Sequence, residues 1–200
     1  MTRTLRIAIA DDEVAVQDFY AETLRALGHE VVCQATNGAE LVEGCRRSMP
    51  DLVISNSKMS DMPAAEAAGR LARTRPTPWI VVAAGGDDPA IVSNEHIAGL
   101  VHQPLKQSEL DETIPRSLER FAANRRKADE EASKLRQSLS EHRLVERAKS
   151  ILIRERKWDE DEALRWLQEQ AADRGLTLAD AARKIALDTS QRDTLVRSQQ

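Results

Sequence analysis

The chain is short of everything that would mark it as secreted, membrane-bound or all-β. Cys33 and Cys45 are its only two cysteines. Both lie in otherwise apolar stretches of the front half, so they read as buried free thiols of a reducing compartment rather than a disulfide framework. No run approaches the roughly 18–20 apolar residues that a membrane helix needs. The opening MTRTLRIAIADDE meets acids before any long apolar stretch develops, so no signal peptide is expected. These absences point to a soluble, cytoplasmic protein with no membrane partner. Aromatics are few, at three Trp, two Phe and one Tyr, while Ala and Leu abound, which favours helices and α/β layering over a β-sandwich. Between Arg116 and Leu152 there is no Gly and no Pro. Nowhere does a nucleophile, a metal-ligand cluster or a phosphate-cradling Gly-rich loop appear, and Gly85-Gly86 reads as a flexible loop, so no enzyme is expected.

What is present falls into two parts. Two hundred residues allow one or two domains with a core that needs no metal or disulfide. The net charge of −4 is unevenly spread. Residues 1–115 carry ten basic against seventeen acidic side chains, residues 116–140 seven against four, and residues 141–200 twelve of each. An acidic front and a more basic rear suggest modules with different partners.

The front part alternates. Short apolar runs (LRIAIA, EVVCQAT, DLVIS, WIVVAA, GLVHQP) are each followed by a helix-like stretch: VAVQDFYAETLRALG, NGAELVEGCRRSM with Asn37 as N-cap, PAAEAAGRLARTR, DDPAIVSNEHIAG and SELDETI. In the first of these, Val16, Phe19, Tyr20, Leu24 and Leu27 form the apolar face, and Gly28 ends it. Five such repeats predict a (βα)5 doubly wound, flavodoxin-like α/β domain over residues 1–115. The apolar runs are near-continuous, as a parallel sheet covered on both faces requires. In such sheets the functional crevice lies beyond the carboxyl ends of the strands. Here those ends carry Asp11-Asp12-Glu13, Asn56, Ala83-Ala84 and Gln103.

The rear part is helical. A weak heptad register runs through Leu118, Arg125, Ala132 and Leu139 at one position and Phe121, Ala128, Leu135 and His142 at the other. It predicts a coiled-coil linker helix over 116–140, and hence a homodimer. Pro115 should kink or restart the helix as it leaves the first domain. Beyond it, a three-helix bundle is expected over 141–190. Its apolar stripes are Leu144, Val145, Ala148, Ile151 and Leu152, then Ala163, Trp166, Leu167 and Ala171, then Leu178, Ala181, Ala182 and Ile185. Asp159 with Glu162, and Thr177 with Asp180, are capping pairs, and Gly175 closes the middle helix. Residues 191–200 read as a frayed tail.

On these residues the front part resembles the receiver domain of two-component response regulators. The likeness is carried by the acids after the first strand, PDLVISNSKM around the third and GLVHQPL at the fifth. The resemblance implies Asp11 and Asp12 as acids for Mg²⁺, an Asp where Asn56 stands, a Thr or Ser where Ala83 stands and a Lys where Gln103 stands. An amide oxygen is too weak a nucleophile to replace a carboxylate. Ala83 has no hydroxyl and Gln103 no cation to meet a phosphate. The site therefore reads as degenerate; no cofactor is expected, and any Mg²⁺ would be held weakly. Gln103-Pro104 is expected to be cis, as in receivers.

The stretches LVERAKSILIRE and WDEDEALRWLQEQAADRGLTLADAARKI resemble the ANTAR domain, the RNA-binding module of transcription antitermination regulators. Ser150 stands where that family often has Gly. A receiver, a coiled coil and ANTAR in this order resemble the antiterminators of amidase, ethanolamine and nitrate operons. The amidase type is nearest, because it also lacks a working phosphorylation site and is held by a ligand-sensing partner. The resemblance implies a dimer that grips tandem hairpins of a leader transcript, with control by a sensor or sequestering protein. Cations for phosphates are sought at Arg147 and Lys149 first, then Arg143, Arg154, Arg165, Arg174, Arg183 and Lys184. Trp158 is the candidate for stacking on loop bases, and Trp166 reads mainly as core. The even charge balance of the last sixty residues is unlike many nucleic-acid binders; the alternatives are a DNA-binding regulator, for which LTLADAARKIALD is a poor recognition helix, and a protein-only adaptor.

Overall fold

The computed structural model describes the backbone of residues 3–83 and 94–197, with side chains placed up to residue 188. The chain divides into two compact units, Met1–Arg126 and Lys127–Gln200.

The first unit is a five-stranded sheet whose strands lie in the order β2-β1-β3-β4-β5, all paired in parallel. The strands are β1 (Arg6–Ala10), β2 (Glu30–Ala35), β3 (Leu52–Asn56), β4 (Trp79–Ala83) and β5 (Ile97–His102). Helices α1 (Val14–Ala26), α2 (Gly38–Ser48) and α3 (Ala64–Ala72) connect them, and α4 (Gln107–Arg156) follows β5. The doubly wound expectation is met. Alternation along each strand sends side chains to opposite faces. Ala8, Val53 and Val81 join one buried cluster with residues of α2 and α3. Ile7, Ile9, Ile54, Ile80 and Val82 join another with Tyr20 and Leu24 of α1 and Leu110 and Ile114 of α4. Trp79 is wholly buried, and its indole N–H donates to Ser55 Oγ at 2.8 Å, which satisfies the one polar atom that burial would strand.

Four expectations change. The helix sought over residues 87–99 does not reach that far, because Asn94–His96 form a turn and Ile97–Gly99 already belong to β5; residues 87–93, with Ala84 and Gly85-Gly86, lie outside the described residues. Pro115 sits inside α4 without ending it. It lies in an early turn on the exposed side, while Leu110, Ile114 and Ser117 bury the opposite face. Burial on that side holds the helix through the one missing N–H. Leu118 and Phe121, placed in the coiled-coil seam by their spacing, instead pack within the first unit. Phe19, assigned to the apolar face of α1, is 47% exposed.

The second unit contains the end of α4, α5 (Glu160–Asp173) and α6 (Leu178–Arg197). Its core is Ala148 and Leu152 against Ala163, Leu167 and Ala182, with Leu144, Val145, Trp158, Trp166, Leu178 and Ile185 half-buried around them. Small alanines at these contacts let the helices approach closely. Asp159 accepts from the Glu162 amide while the Glu162 carboxylate accepts from the Asp159 amide, the reciprocal capping box. Thr177 Oγ1 accepts from the Asp180 amide at 3.1 Å, and Gly175 takes φ +60°, which costs a residue without Cβ nothing. The last helix runs to Arg197, past the point where the sequence was read as frayed.

Candidate functional site

In the first unit, strand register gathers the expected crevice. Asn56 pairs with Val82 and Ala83 with His102 across β3, β4 and β5, and the Gln103 amide donates to the Ala83 carbonyl at 3.0 Å. Gln103-Pro104 is cis. A cavity of about 670 Å³ opens there, lined on its polar side by Asp11, Glu13, Asn56 and Gln103 and on its apolar side by Val16, Phe19, Tyr20, Pro104 and Leu105. Ala83 is buried behind it.

Asp11 is buried. Its Oδ1 accepts from the Glu13 amide at 3.1 Å. Burial pushes its carboxyl above the ordinary aspartate value; the Glu13 amide opposes this, and the charges of Asp12 and Glu13 reinforce it. Tyr20 is likewise buried. Burial, then the charge of Asp11, raises its hydroxyl to about 12; a hydrogen bond with Gln103 pulls the other way and one with Asp11 adds to the rise. Asn56 Oδ1 receives only long contacts, from the Lys58 amide at 3.4 Å and the Ser57 hydroxyl at 3.5 Å.

The fit to Mg²⁺ is poor. The Asp11 carboxylate suits a cation, but Asn56 replaces a third carboxylate with a neutral amide. Among the described residues, no group of three or more His, Cys, Asp or Glu side chains could hold a metal ion. Asp61, the nearest acid after β3, is committed elsewhere. Its two oxygens accept from the Gly38 and Ala39 amides at 2.7 and 2.9 Å, tying the loop after β3 to the start of α2.

In the second unit the expected cations scatter. Lys149 is buried, and its ammonium lies 2.8 Å from Glu146 and 2.6 Å from Glu160. That corrects its reading as a leading RNA contact, because a doubly paired, buried ammonium has little left to offer a phosphate. Arg183 is paired with Asp180 at 2.6 Å, and Arg165 reaches the Asp161 carbonyl at 3.4 Å. Arg143, Arg147 and Arg154 are exposed. Arg174 and Lys184 do come together. They line a groove of about 440 Å³ with Trp166, Gln170 and Arg156.

Arg156 was missed. Its guanidinium lies 4.8 Å from the Trp158 ring and 4.9 Å from the Trp166 ring, and the two rings are 5.9 Å apart. This is a cation over two aromatic faces. The available signal was its position in the last turn of α4, two residues before Trp158.

Comparison with known proteins agrees with both halves. The response regulator receiver domain matches residues 7–115 and the ANTAR domain residues 133–185. The transcriptional regulatory protein PdtaR of Mycobacterium tuberculosis is 33% identical over 187 residues, 92% of this chain and 90% of that protein. A protein-glutamate methylesterase/protein-glutamine glutaminase of Natronomonas pharaonis is 36% identical, over only 44% of this chain and 24% of its own length. Its match ends within the receiver part. Among solved structures, a signal receiver domain of a modulated diguanylate cyclase from Desulfovibrio desulfuricans superimposes with a TM-score of 0.55 at 19% identity, covering 60% of this chain and 98% of that one. That likeness concerns the fold alone.

Proposed function

This chain belongs to the response regulators that join a receiver domain to an ANTAR domain, and from that premise we propose that it is a cytoplasmic, non-enzymatic antitermination regulator. It binds hairpins of a leader transcript as a homodimer, and its receiver is governed by association rather than by phosphorylation at Asn56. The observation that carries the RNA reading is the groove in the second unit. Arg156, Arg174 and Lys184 set cations beside Trp166, and Arg156 ties Trp166 to Trp158. Folded RNA with unstacked loop bases asks for that combination, cations for phosphate and planar groups for bases. A uniformly basic face would suit any polyanion; this unit is balanced in charge, so specific geometry has to supply the affinity.

Dimerisation is supported by Leu135 and Leu139, exposed at 63% and 51% on one face of α4 at i and i+4. Tethering two modest RNA modules multiplies their affinity without a new contact. Control by association is supported by Asn56, Ala83 and Gln103 together, since none of them can take, follow or neutralise a phosphoryl group.

Gel-shift titration with a tandem-hairpin RNA against matched duplex DNA tests the reading. Selective RNA binding is expected, weakened about tenfold by Arg174→Ala or Lys184→Ala. Equal binding to DNA would favour the DNA-regulator alternative, and no binding to either would favour a protein-only adaptor.

A further inference from the structure

We infer that Asn37–Gly38 is a latent deamidation site held in check by the Asp61 carboxylate, and that loss of the Asp61 contact lets Asn37 convert to aspartate and isoaspartate. The site lies in the first unit and does not depend on the RNA reading.

Asn37–Gly38 is the one Asn-Gly pair in the sequence. Glycine after asparagine leaves its backbone nitrogen unshielded, so that nitrogen can reach the asparagine side-chain carbonyl. Having lost its proton to hydroxide, the Gly38 nitrogen attacks Asn37 Cγ and closes a five-membered imide. The Cγ–Nδ2 bond breaks, and ammonia leaves with a proton taken from water. Water then opens the imide at either carbonyl, which gives aspartate or, through the side chain, isoaspartate. The electrophile of this reaction is prepared in the structure. Asn37 caps α2, and its Oδ1 accepts from the Glu40 amide at 2.9 Å. An N–H at the positive end of a helix polarises that carbonyl, an arrangement that stabilises a developing oxyanion. The nucleophile is withheld. The Gly38 N–H donates to Asp61 Oδ1 at 2.7 Å and the Ala39 N–H to Asp61 Oδ2 at 2.9 Å. A carboxylate at that distance holds the proton and repels the anion that its loss would leave. Gly38 itself is not free to change, because a Cβ there would collide with Met62 Cγ. Packing thus demands the labile pair, and Asp61 is what the chain sets against it. Asn56–Ser57 is the comparison: the Ser57 N–H donates to the Val82 carbonyl at 2.9 Å, so its nitrogen is held by β4 and not by Asp61.

The full-length chain and its Asp61→Ala and Asp61→Asn variants are incubated at mildly alkaline pH. Peptides spanning Asn37 and Asn56 are followed by mass spectrometry for replacement of the amide nitrogen by oxygen. The folded, unaltered chain should convert Asn37 far more slowly than the same chain unfolded in urea. Asp61→Ala should convert it about tenfold faster than the unaltered chain, the scale of one hydrogen bond to a charged group. Asp61→Asn, which keeps an acceptor but loses the charge, should also be faster than the unaltered chain, though by less. In both variants Asn56 should convert no faster than in the unaltered chain, because opening of the whole domain would release both sites. Equal rates at Asn37 in all three folded chains overturn the inference. So does an unaltered chain that converts Asn37 as fast when folded as in urea, or an Asp61→Ala chain in which conversion of Asn56 rises in step with that of Asn37.

Discussion

Lys149 on α4 and Glu160 on α5 meet at 2.6 Å, with Glu146 completing the cluster at 2.8 Å on the other side of the ammonium. The tie joins two helices at the point where the short link between them ends. Hydrogen bonds donated by Lys149 to Glu146 first and Glu160 second raise the Lys149 value above 10.5, and Lys149 lowers Glu146 below 4.5. A raised lysine contributes stability that is complete below 10.5 and lost as pH climbs through the folded value. A lowered glutamate contributes stability that is present above 4.5 and lost as pH falls through the folded value. Lys149→Met should therefore lower the thermal midpoint of the second unit at pH 7 by roughly 4–8 °C, and flatten its decline at strongly alkaline pH. Circular dichroism melts across pH 7 to 12 check both. Lys149→Met should also leave RNA affinity nearly unchanged at temperatures where the unit is folded, unlike Arg174→Ala.

The proposed loss of phosphoryl chemistry in the crevice invites repair. Asn56→Asp alone should take label from acetyl phosphate slowly, because Ala83 still offers no hydroxyl and Gln103 no cation to the transferred group. Adding Ala83→Thr and Gln103→Lys should accelerate labelling by roughly 100-fold, the scale of restoring one well-placed charge-stabilising contact. The unaltered chain should take no stable label on its first unit. Label on the unaltered chain, or a triple variant no faster than Asn56→Asp, would refute the proposal that this receiver works without phosphorylation at Asn56.

The fold was legible in sequence where one signal dominated. The apolar runs of β1 and β3 located the sheet, and Asn37, Asp159 and Thr177 marked helix starts whose hydrogen bonds are in place. Where local and tertiary signals competed, the tertiary one won. Pro115 is a local breaker, yet the buried face of Leu110, Ile114 and Ser117 carries α4 through it. Leu118 and Phe121 fit a heptad, yet a nearby apolar surface claims them first. In the crevice, the identities of Asn56, Ala83 and Gln103 carry the proposal of a receiver without phosphoryl chemistry, and strand register brings the three positions together. The cation groove was less legible, because exposure and pairing cannot be read from residue type. Lys149 and Arg156 are both basic helical residues near the same junction, but one is consumed by carboxylates and the other lies over two indoles.

Leu135 and Leu139 give the proposed dimer its most direct test. Each leaves more than half of a large apolar side chain in water, and burial of such a side chain is worth about 1.5–3 kcal/mol. Leu135→Glu with Leu139→Glu should shift the chain to monomer in sedimentation equilibrium, without changing helix content, since glutamate is a good helix former. RNA affinity should then fall on tandem hairpins much more than on a single hairpin, because only the tandem target rewards tethering. A double variant that stays dimeric places the interface elsewhere.

Asp61 supplies a pH-dependent prediction in the first unit. Burial is the largest single influence and pushes its carboxyl up, but amide donors from Gly38, Ala39, Asp61 itself and Met62 together outweigh it and hold the carboxyl below the ordinary value of 3.8. A depressed folded value means the contribution is present above pH 3.8 and lost as pH falls through the folded value. The carboxylate also faces the positive end of α2, which adds to its preference for charge. Because Asp61 is exposed, water and salt screen the effect, and Asp61→Asn should cost less than about 1 kcal/mol at pH 7. The loss should shrink toward zero as the pH is lowered through the range where the native carboxyl takes up its proton. Urea titrations of both proteins at pH 7, 4 and 3 measure the gap. A gap that stays constant across those three conditions would mean that the two hydrogen bonds to α2 contribute nothing through charge.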